Sequence, residues 1–279
     1  MTESTLPLPP DNLRFMGEDD ERLLSIGREL AATLVDHGLA PRSRVLDVGC
    51  GYGRLALGLV AEGVHEGDYL GFDILKRHIT WCSDTLTPVH PRLRFKHVDA
   101  HNPRYNPAGT LDADKIHFPA GIGTVDVAAV FSVFTHLYRP TVAHYLAELR
   151  RVLRPGAVAV TTWLLWDENR LEATQSDACA YPLNFELDPQ TRYNDADDPL
   201  RAIAFHPRLV TELVHEAGLR IRSSERGSWD GVTESSSFQD LLVLQLPRTP
   251  KLVLRRAAGR VKRRLAHRRR VRRRARREP

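Results

Sequence analysis

Residues Val45-Leu46-Asp47-Val48-Gly49-Cys50-Gly51-Tyr52-Gly53-Arg54-Leu55 constrain this chain more than any other segment. Val45, Leu46 and Val48 form an apolar run without alternation, the signature of a parallel strand covered on both faces. Three glycines then fall at alternate positions. Lacking a Cβ, they admit left-handed backbone and let the main chain approach a ligand closely. A helical pattern starts at Arg54, and the first turn of a helix presents N–H groups that have no intrahelical partner. Strand, glycine turn and helix start together make a cofactor loop of the nucleotide-binding α/β type. The dinucleotide version of such a loop is G-x-G-x-x-G, with a pyrophosphate on the helix N-terminus. Here the spacing is G-x-G-x-G, and Asp47 stands two residues before the first glycine. A carboxylate there repels a pyrophosphate and can accept from an ammonium group, which disfavours a nicotinamide-dependent reductase.

Further apolar runs follow in a regular order. Tyr69–Ile74 ends on Asp73, an acid placed to accept hydrogen bonds from ribose hydroxyls. Arg92–Asp99 alternates and closes on Asp99, and Val125–Phe131 is followed by Ser132-Val133-Phe134-Thr135-His136-Leu137. A helix ending at Arg154-Pro155-Gly156 leads into a strand over 157–165. Strands alternating with helical stretches predict an α/β fold, a doubly wound, mostly parallel sheet. A helix over 206–217 and strands over 219–223 and 238–246 complete seven strands, the last two as an antiparallel hairpin pair. Residues 1–40 read as an N-terminal cap segment and helix, in which Leu23, Ile26, Leu30 and Leu34 mark the apolar face. Phe15 and Met16 either fold over the cofactor or staple onto the core. Residues 166–205 interrupt the pattern with acids, Asn and Pro, and a stretch of that length is functional or disordered.

In the acid followed by G-x-G-x-G, and in the order of the runs across residues 45–165, the chain resembles the class I S-adenosylmethionine-dependent methyltransferases. The resemblance implies a Rossmann-like sheet over 41–250 with S-adenosyl-L-methionine as cofactor. Gly49, Gly51 and Gly53, behind Asp47, would wrap its amino-acid end. Asp73, with Ile74 beside it, would receive the ribose, and Asp99, with Ala100, the adenine amino group. Ser132 would lie beside the transferring methyl, and the 166–205 insert would shape the acceptor pocket. Enzymes that methylate bases carry Asn or Asp, then Pro-Pro and an aromatic, after the fourth strand; this chain does not. The Phe134-Thr135-His136 segment and the later Gly227-Ser228-Trp229-Asp230-Gly231 before Gln239-Asp240 resemble sequences of bacterial carbohydrate and cell-envelope glycan genes. That implies O-methylation of a sugar hydroxyl, other small-molecule or lipid-linked acceptors being the alternative. An inactive methyltransferase-like scaffold is a third reading, against which the intact Asp47, Asp73 and glycines argue.

Methyl transfer from a sulfonium needs donor and acceptor held in line, and removal of a proton if the nucleophile is a hydroxyl. His136 is the candidate general base, since imidazole titrates near neutrality. It can equally pack in a first helical turn capped by Ser132 or Thr135. His206, before Pro207 at a helix start, is a second candidate lining the acceptor pocket, whereas His144 reads as surface or packing. Trp163, Trp166 and Trp229 can offer flat faces to a sugar ring or fill the core. Asp167, Glu168, Asp195, Asp197 and Asp198 have the oxygen chemistry of a divalent-cation site but equally that of a solvated surface, and no metal is assigned.

Charge is distributed unevenly. The chain of 279 residues carries a formal net charge of +5, yet residues 251–279 hold fifteen Lys or Arg and one Glu, which leaves −9 on the rest. Leu254, Ala258, Val261 and Leu265 recur at helical spacing in that tail. The tail reads as a solvated segment or as a contact to an anionic membrane surface. Nucleic acid is a weaker match, because no aromatic residue is interleaved to stack on bases. Cys50, Cys82 and Cys179 have neither a disulfide framework nor metal-ligand spacing. With no signal-peptide pattern and no apolar run of the roughly 18–20 residues a span requires, the expected location is cytoplasmic, peripheral at the inner face of the membrane if the tail binds lipid. Oligomeric state is not readable from the sequence.

Overall fold

Ten strands in two sheets organise the described residues, which are 6–14, 19–176 and 178–248 of a computed structural model. The strands are β1 Val45–Val48, β2 Tyr69–Asp73, β3 Leu93–His97, β4 Val125–Val130, β5 Leu153–Trp163, β6 Phe185–Asp188, β7 Thr191–Tyr193, β8 Ile203–Phe205, β9 Arg220–Glu225 and β10 Asp240–Gln245. Seven of them form the main sheet in the order β3-β2-β1-β4-β5-β10-β9. All neighbours from β3 to β5 run parallel, and β10 is antiparallel to both β5 and β9. This is the expected seven-stranded, doubly wound sheet with its antiparallel C-terminal pair. The interior strands β1, β4 and β10 are buried almost throughout, whereas the edge strands β3 and β9 alternate. That contrast is why the interior runs read as unbroken apolar segments. Chain order reverses at β1, which has β2 on one side and β4 on the other, so a crevice opens at the carboxyl ends of these strands.

The N-terminal helix Asp20–Asp36 is capped by Asp19, whose side chain accepts from the Arg22 N–H at 2.7 Å. Its buried stripe is Leu23, Gly27, Ala31 and Leu34, with Ile26 and Leu30 only half-buried. The stripe is rotated because this helix crosses the helix Arg54–Ala61 at Gly27 and Gly58. A Cβ on Gly58 would lie 1.9 Å from the Gly27 carbonyl oxygen, so only glycine lets the two backbones meet. β5 also begins earlier than position 157. Val125 already pairs with Leu153, and the register then jumps to Val127 with Val158, which leaves Arg154-Pro155-Gly156 in a bulge.

Residues 166–176 and 178–205 form regular structure and a small core rather than an open loop. They supply the antiparallel sheet β6-β7-β8 and a small core in which Trp166, Cys179, Leu183, Ala202 and Ala204 pack with Trp229. Strands of three or four residues are too short to show a period in sequence. β8 is tied back to the main body, since the Phe205 N–H donates to the Leu164 carbonyl at 2.9 Å. Phe15 and Met16, expected over the cofactor or on the core, and the basic tail, expected at a membrane or in solvent, lie outside the described residues. One compact unit runs to Leu246, and the site lies within it.

Candidate functional site

The glycine loop takes the conformation that its residues require. Gly49, Gly51 and Gly53 have φ of +72°, +53° and +82°, in the left-handed region that L side chains rarely adopt. A Cβ on Gly49 would sit 2.5 Å from Val133 Cγ2, so the segment after β4 closes directly onto the loop. The N–H groups of Gly49 and Cys50 both donate to the Phe72 carbonyl, at 2.9 and 3.1 Å. Asp73 completes the tie. Its Oδ2 accepts from the Gly51 N–H and its Oδ1 from the Leu75 N–H, both at 2.8 Å. The carboxylate keeps acceptor capacity beyond these bonds, which suits a sugar hydroxyl. Burial raises the Asp73 pKa above the ordinary carboxylate value, against the pull of those N–H bonds.

Asp47 stands behind the loop rather than on its surface. Only 3% of its surface is exposed, and it accepts a 2.5 Å hydrogen bond from the Tyr69 hydroxyl. Burial pushes its pKa up to about 7, and the nearby Asp73 adds to the rise. The loop is therefore backed by a carboxyl group whose ionisation a bound cation would favour.

A cleft of about 410 Å³ opens where β2 and β3 end, lined by Ile74, Leu75, Lys76, Arg77, His97, Asp99, Tyr105, Asn106 and Ala108. Ile74 and Asp99 both line this cleft, and Asp99 is already engaged. Its Oδ2 accepts from the Thr110 N–H and hydroxyl, and its Oδ1 from Asn106 Nδ2, at 2.8–3.3 Å. Those bonds, the Thr110 hydroxyl first, hold its pKa below the usual value. The acid thus braces the 100–111 loop and keeps one Oδ1 lone pair for a ligand. Ala100 lies behind the cleft. It is buried, its N–H donates to Val98 and its carbonyl accepts from Asn106 Nδ2, so its main chain is spent on that loop.

A second cleft of about 520 Å³ shares Tyr105 with the first and is lined by Pro103, Arg104, Tyr138, Asp197, Asp198, Pro199 and Leu200. One wall belongs to the 166–205 insert, and the Arg104–Asp198 ion pair joins the two sides. His136 lies behind this wall. Its Nδ1 is 2.8 Å from the Leu200 carbonyl, and the Tyr105 ring meets it edge-on at 5.3 Å. Burial pushes its pKa down to about 4 although backbone carbonyls favour the protonated form. The ring thus resists protonation, and between the Leu200 carbonyl and Tyr105 it braces the wall of the cleft. No side-chain cap is present on its short helical turn, Phe134–His136.

His206 lines neither cleft. It caps the helix Pro207–Glu216, its Nδ1 accepting from the Arg208 N–H at 3.2 Å, and it meets Trp166 edge-on. His144 Nε2 lies 2.6 Å from the Ile116 carbonyl, a packing role. The three tryptophans are core residues. Trp163 stacks on Phe134 at 4.2 Å, and Trp229 is fully buried with Arg170 over its ring at 4.6 Å. The acids do not converge: Asp167 pairs with Arg226, Asp195 with Arg201 and Asp198 with Arg104. Among the described residues no group of three or more His, Cys, Asp or Glu is placed to hold a metal ion.

Ser132 is the only non-glycine with positive φ among the described residues, at +55°. It sits where β4 ends, next to the Val133 contact on Gly49. Thr162 Oγ1 accepts its N–H at 2.7 Å, and its own hydroxyl donates to Gln239 Oε1 at 3.1 Å.

Comparison with known proteins matches this geometry to a family. The profile described as "Methyltransferase domain" matches residues 45–156, from β1 into β5. Over residues 45–156 the chain is similar to the methyltransferase domain family. An uncharacterized methyltransferase of Schizosaccharomyces pombe is 28% identical over 184 residues, 62% of this chain and 59% of the relative. The chain thus spans about three-fifths of the length of that curated relative. The fold recurs in 1,6-didemethyltoxoflavin-N1-methyltransferase of Burkholderia thailandensis, solved with S-adenosylhomocysteine (TM-score 0.51, 19% identity, 82% of this chain and 80% of that one). It recurs also in the [4+2]-cyclase SpnF (TM-score 0.51, 15% identity, 80% and 81%).

The residues of this methyltransferase domain fit its cofactor, S-adenosylmethionine. The three glycines turn the backbone through the left-handed region where β1 ends, Asp73 keeps acceptor capacity for a ribose, and the cleft beside Ile74 and Asp99 continues from it. Sequence reasoning missed Lys76, Arg77, Tyr105 and Asn106 in the first cleft and Arg104, Tyr138 and Leu200 in the second. Most lie in irregular segments whose role depends on what they fold against, and no spacing signal marks them.

Proposed function

We propose that this protein transfers a methyl group from S-adenosylmethionine to a hydroxyl of a small polar acceptor, a sugar or cell-envelope glycan unit being the leading class. The observation that carries this reading is the second cleft, which shares Tyr105 with the cofactor cleft and is walled by hydrogen-bonding groups. Arg104, Tyr105, Tyr138 and Asp197 offer donors, acceptors and two aromatic faces, the mixture a polyhydroxylated ring requires. The relative from Burkholderia was solved with a small bound molecule beside the spent cofactor, which supports a small molecule in this role.

The cofactor supplies an electrophilic methyl, so the protein has only to align the acceptor, exclude water and receive a proton. Among the described residues the Asp197 side chain makes no hydrogen bond or ion pair, and it is the cleft's available proton acceptor. His136 and Leu200 hold the wall on which the acceptor rests. Fold alone leaves other chemistry open, as the cyclase with this architecture illustrates. The test is incubation with methyl-labelled S-adenosylmethionine and a panel of nucleotide sugars, simple glycosides and phenolic acceptors, read by label transfer. Transfer to phenols alone, or to none with the cofactor bound, would refute the glycan reading.

No helix of the described residues is long and apolar enough to cross a membrane. The net +14 of residues 251–279 supports a further proposal, adsorption to anionic lipid with the enzyme on the cytoplasmic side, each basic residue near such a surface contributing about 1 kcal/mol.

A further inference from the structure

The Gly227-Ser228-Trp229-Asp230-Gly231 segment and the following Gln239-Asp240 surround a buried ionic knot, and Gln239, next to it in sequence, bonds to Ser132 after β4. Arg170, from the insert, pairs with Asp230 and with Asp240 at 2.6 Å, and it donates to the Gly227 carbonyl at 2.5 Å. All three charged residues are buried. Asp240 also accepts from the N–H groups of Leu165 and Gly227 and from Trp229 Nε1, at 2.6–2.9 Å. A Cβ at Gly227 would lie 2.3 Å from the Gln239 carbonyl carbon, and one at Gly231 2.2 Å from the Ala178 carbonyl oxygen. Gly227, Trp229 and Arg170 thus seat the entry to β10, while Gly231 lets the segment close on the insert at Ala178.

Gln239 is the side chain which that seating presents. It reaches across the end of β5 to Ser132, whose left-handed backbone is held by Thr162 on one side and Gln239 on the other. A strained non-glycine residue persists where its surroundings over-determine it, and such residues concentrate at working sites. With Oε1 occupied by the Ser132 hydroxyl, the Gln239 Nε2 donors have no partner among the described residues. Ser132, to which Gln239 is bonded, directly precedes Val133, the residue that meets Gly49.

We propose that Gln239 is a cofactor-positioning residue. Its amide N–H groups receive the carboxylate of the cofactor's amino-acid end, and Ser132 and the Arg170–Asp230–Asp240 knot orient it. This rests on the reading of the glycine loop as an S-adenosylmethionine cradle, and it links the acceptor insert, through Arg170, to the other end of the site.

The test is calorimetric titration of the full chain and its Gln239 variants with two probes. S-adenosylhomocysteine carries the amino-acid end, and 5′-methylthioadenosine lacks it. Gln239→Ala should weaken S-adenosylhomocysteine roughly tenfold or more, the usual loss of a hydrogen bond to a charged group. Gln239→Glu should weaken it further by placing like charges together. Methylthioadenosine affinity should change by less than about twofold in both, since a merely structural defect would weaken both probes alike. Unchanged melting temperature shows that the variants fold. Unchanged S-adenosylhomocysteine affinity, or parallel loss of both probes, overturns the proposal. Failure of the parent protein to bind either probe overturns the cradle reading itself, a separate and distinguishable result.

Discussion

Asp47→Asn isolates the electrostatic cost of the cofactor loop. Asp47 is buried beneath the loop with the Tyr69 hydroxyl as its hydrogen-bond donor, and its pKa is pushed from 3.8 to about 7. An unfolded carboxyl ionises near its ordinary value, so the unfolded chain loses this proton at lower pH than the folded one. Folded-state stability therefore falls as pH rises from about 4 to about 7 and levels off above. A shift of about three units corresponds to about 4 kcal/mol at pH 8. Asparagine keeps a carbonyl acceptor for Tyr69 and removes the charge. The variant should be close to the parent in stability near pH 4. By pH 8 it should be the more stable by up to about 4 kcal/mol, most of the gap developing between pH 5 and 7. Urea unfolding of the empty protein at several pH values measures it. A stability difference that stays flat from pH 5 to 8 would refute the reasoning, because it would mean that Asp47 is ionised throughout. By the same linkage, binding S-adenosylmethionine near pH 6.5 should release a proton, since the cofactor's positive charge lowers this pKa. Titration in buffers of different ionisation enthalpy detects that proton, and Asp47→Asn should abolish it.

Other consequences are simpler. Asp73→Ala removes the ribose acceptors and the tie from β2 to Gly51, and S-adenosylhomocysteine affinity should fall by about 1.5–3 kcal/mol. Gly49→Ala must place a Cβ against Val133 in left-handed backbone, and it should weaken the cofactor without altering methylthioadenosine as strongly. His136, held near pKa 4 by burial, stays neutral where the unfolded chain would protonate. Stability is therefore lost as pH falls below about 6.5, and His136→Gln should spare roughly 2 kcal/mol of that loss at pH 5. The turnover of the parent should show no inflection from His136 between pH 6 and 8, whereas Asp197→Asn should lower turnover with cofactor affinity intact. Removal of residues 251–279 should leave cofactor titration unchanged and abolish sedimentation with anionic vesicles; loss of cofactor binding would show that the tail supports the body.

The cofactor half of the site was legible because its residues are required locally. Gly49, Gly51 and Gly53 are glycines for backbone reasons that act within five residues, and Asp73 follows its strand by the same covalent logic. The acceptor half was not legible in this way. His136 and His206 were chosen because histidine titrates near neutrality, but which histidine does so depends on burial: one is sealed behind Tyr105 and Leu200, the other caps a helix. Trp229, readable in the sequence as a sugar platform or as core, is the floor beneath Arg170.

Sequence by itself determined the class of sheet, the succession of strands along the chain and the glycine loop, since apolar periodicity and glycine placement report short-range geometry directly. Only the tertiary structure decided which polar groups face a cleft. It brought Arg104 to Asp198 and Ser132 to Gln239 across 94 and 107 residues of chain. Contacts over such separations leave no periodic trace, and the free energy of a polar side chain is set by what surrounds it after folding.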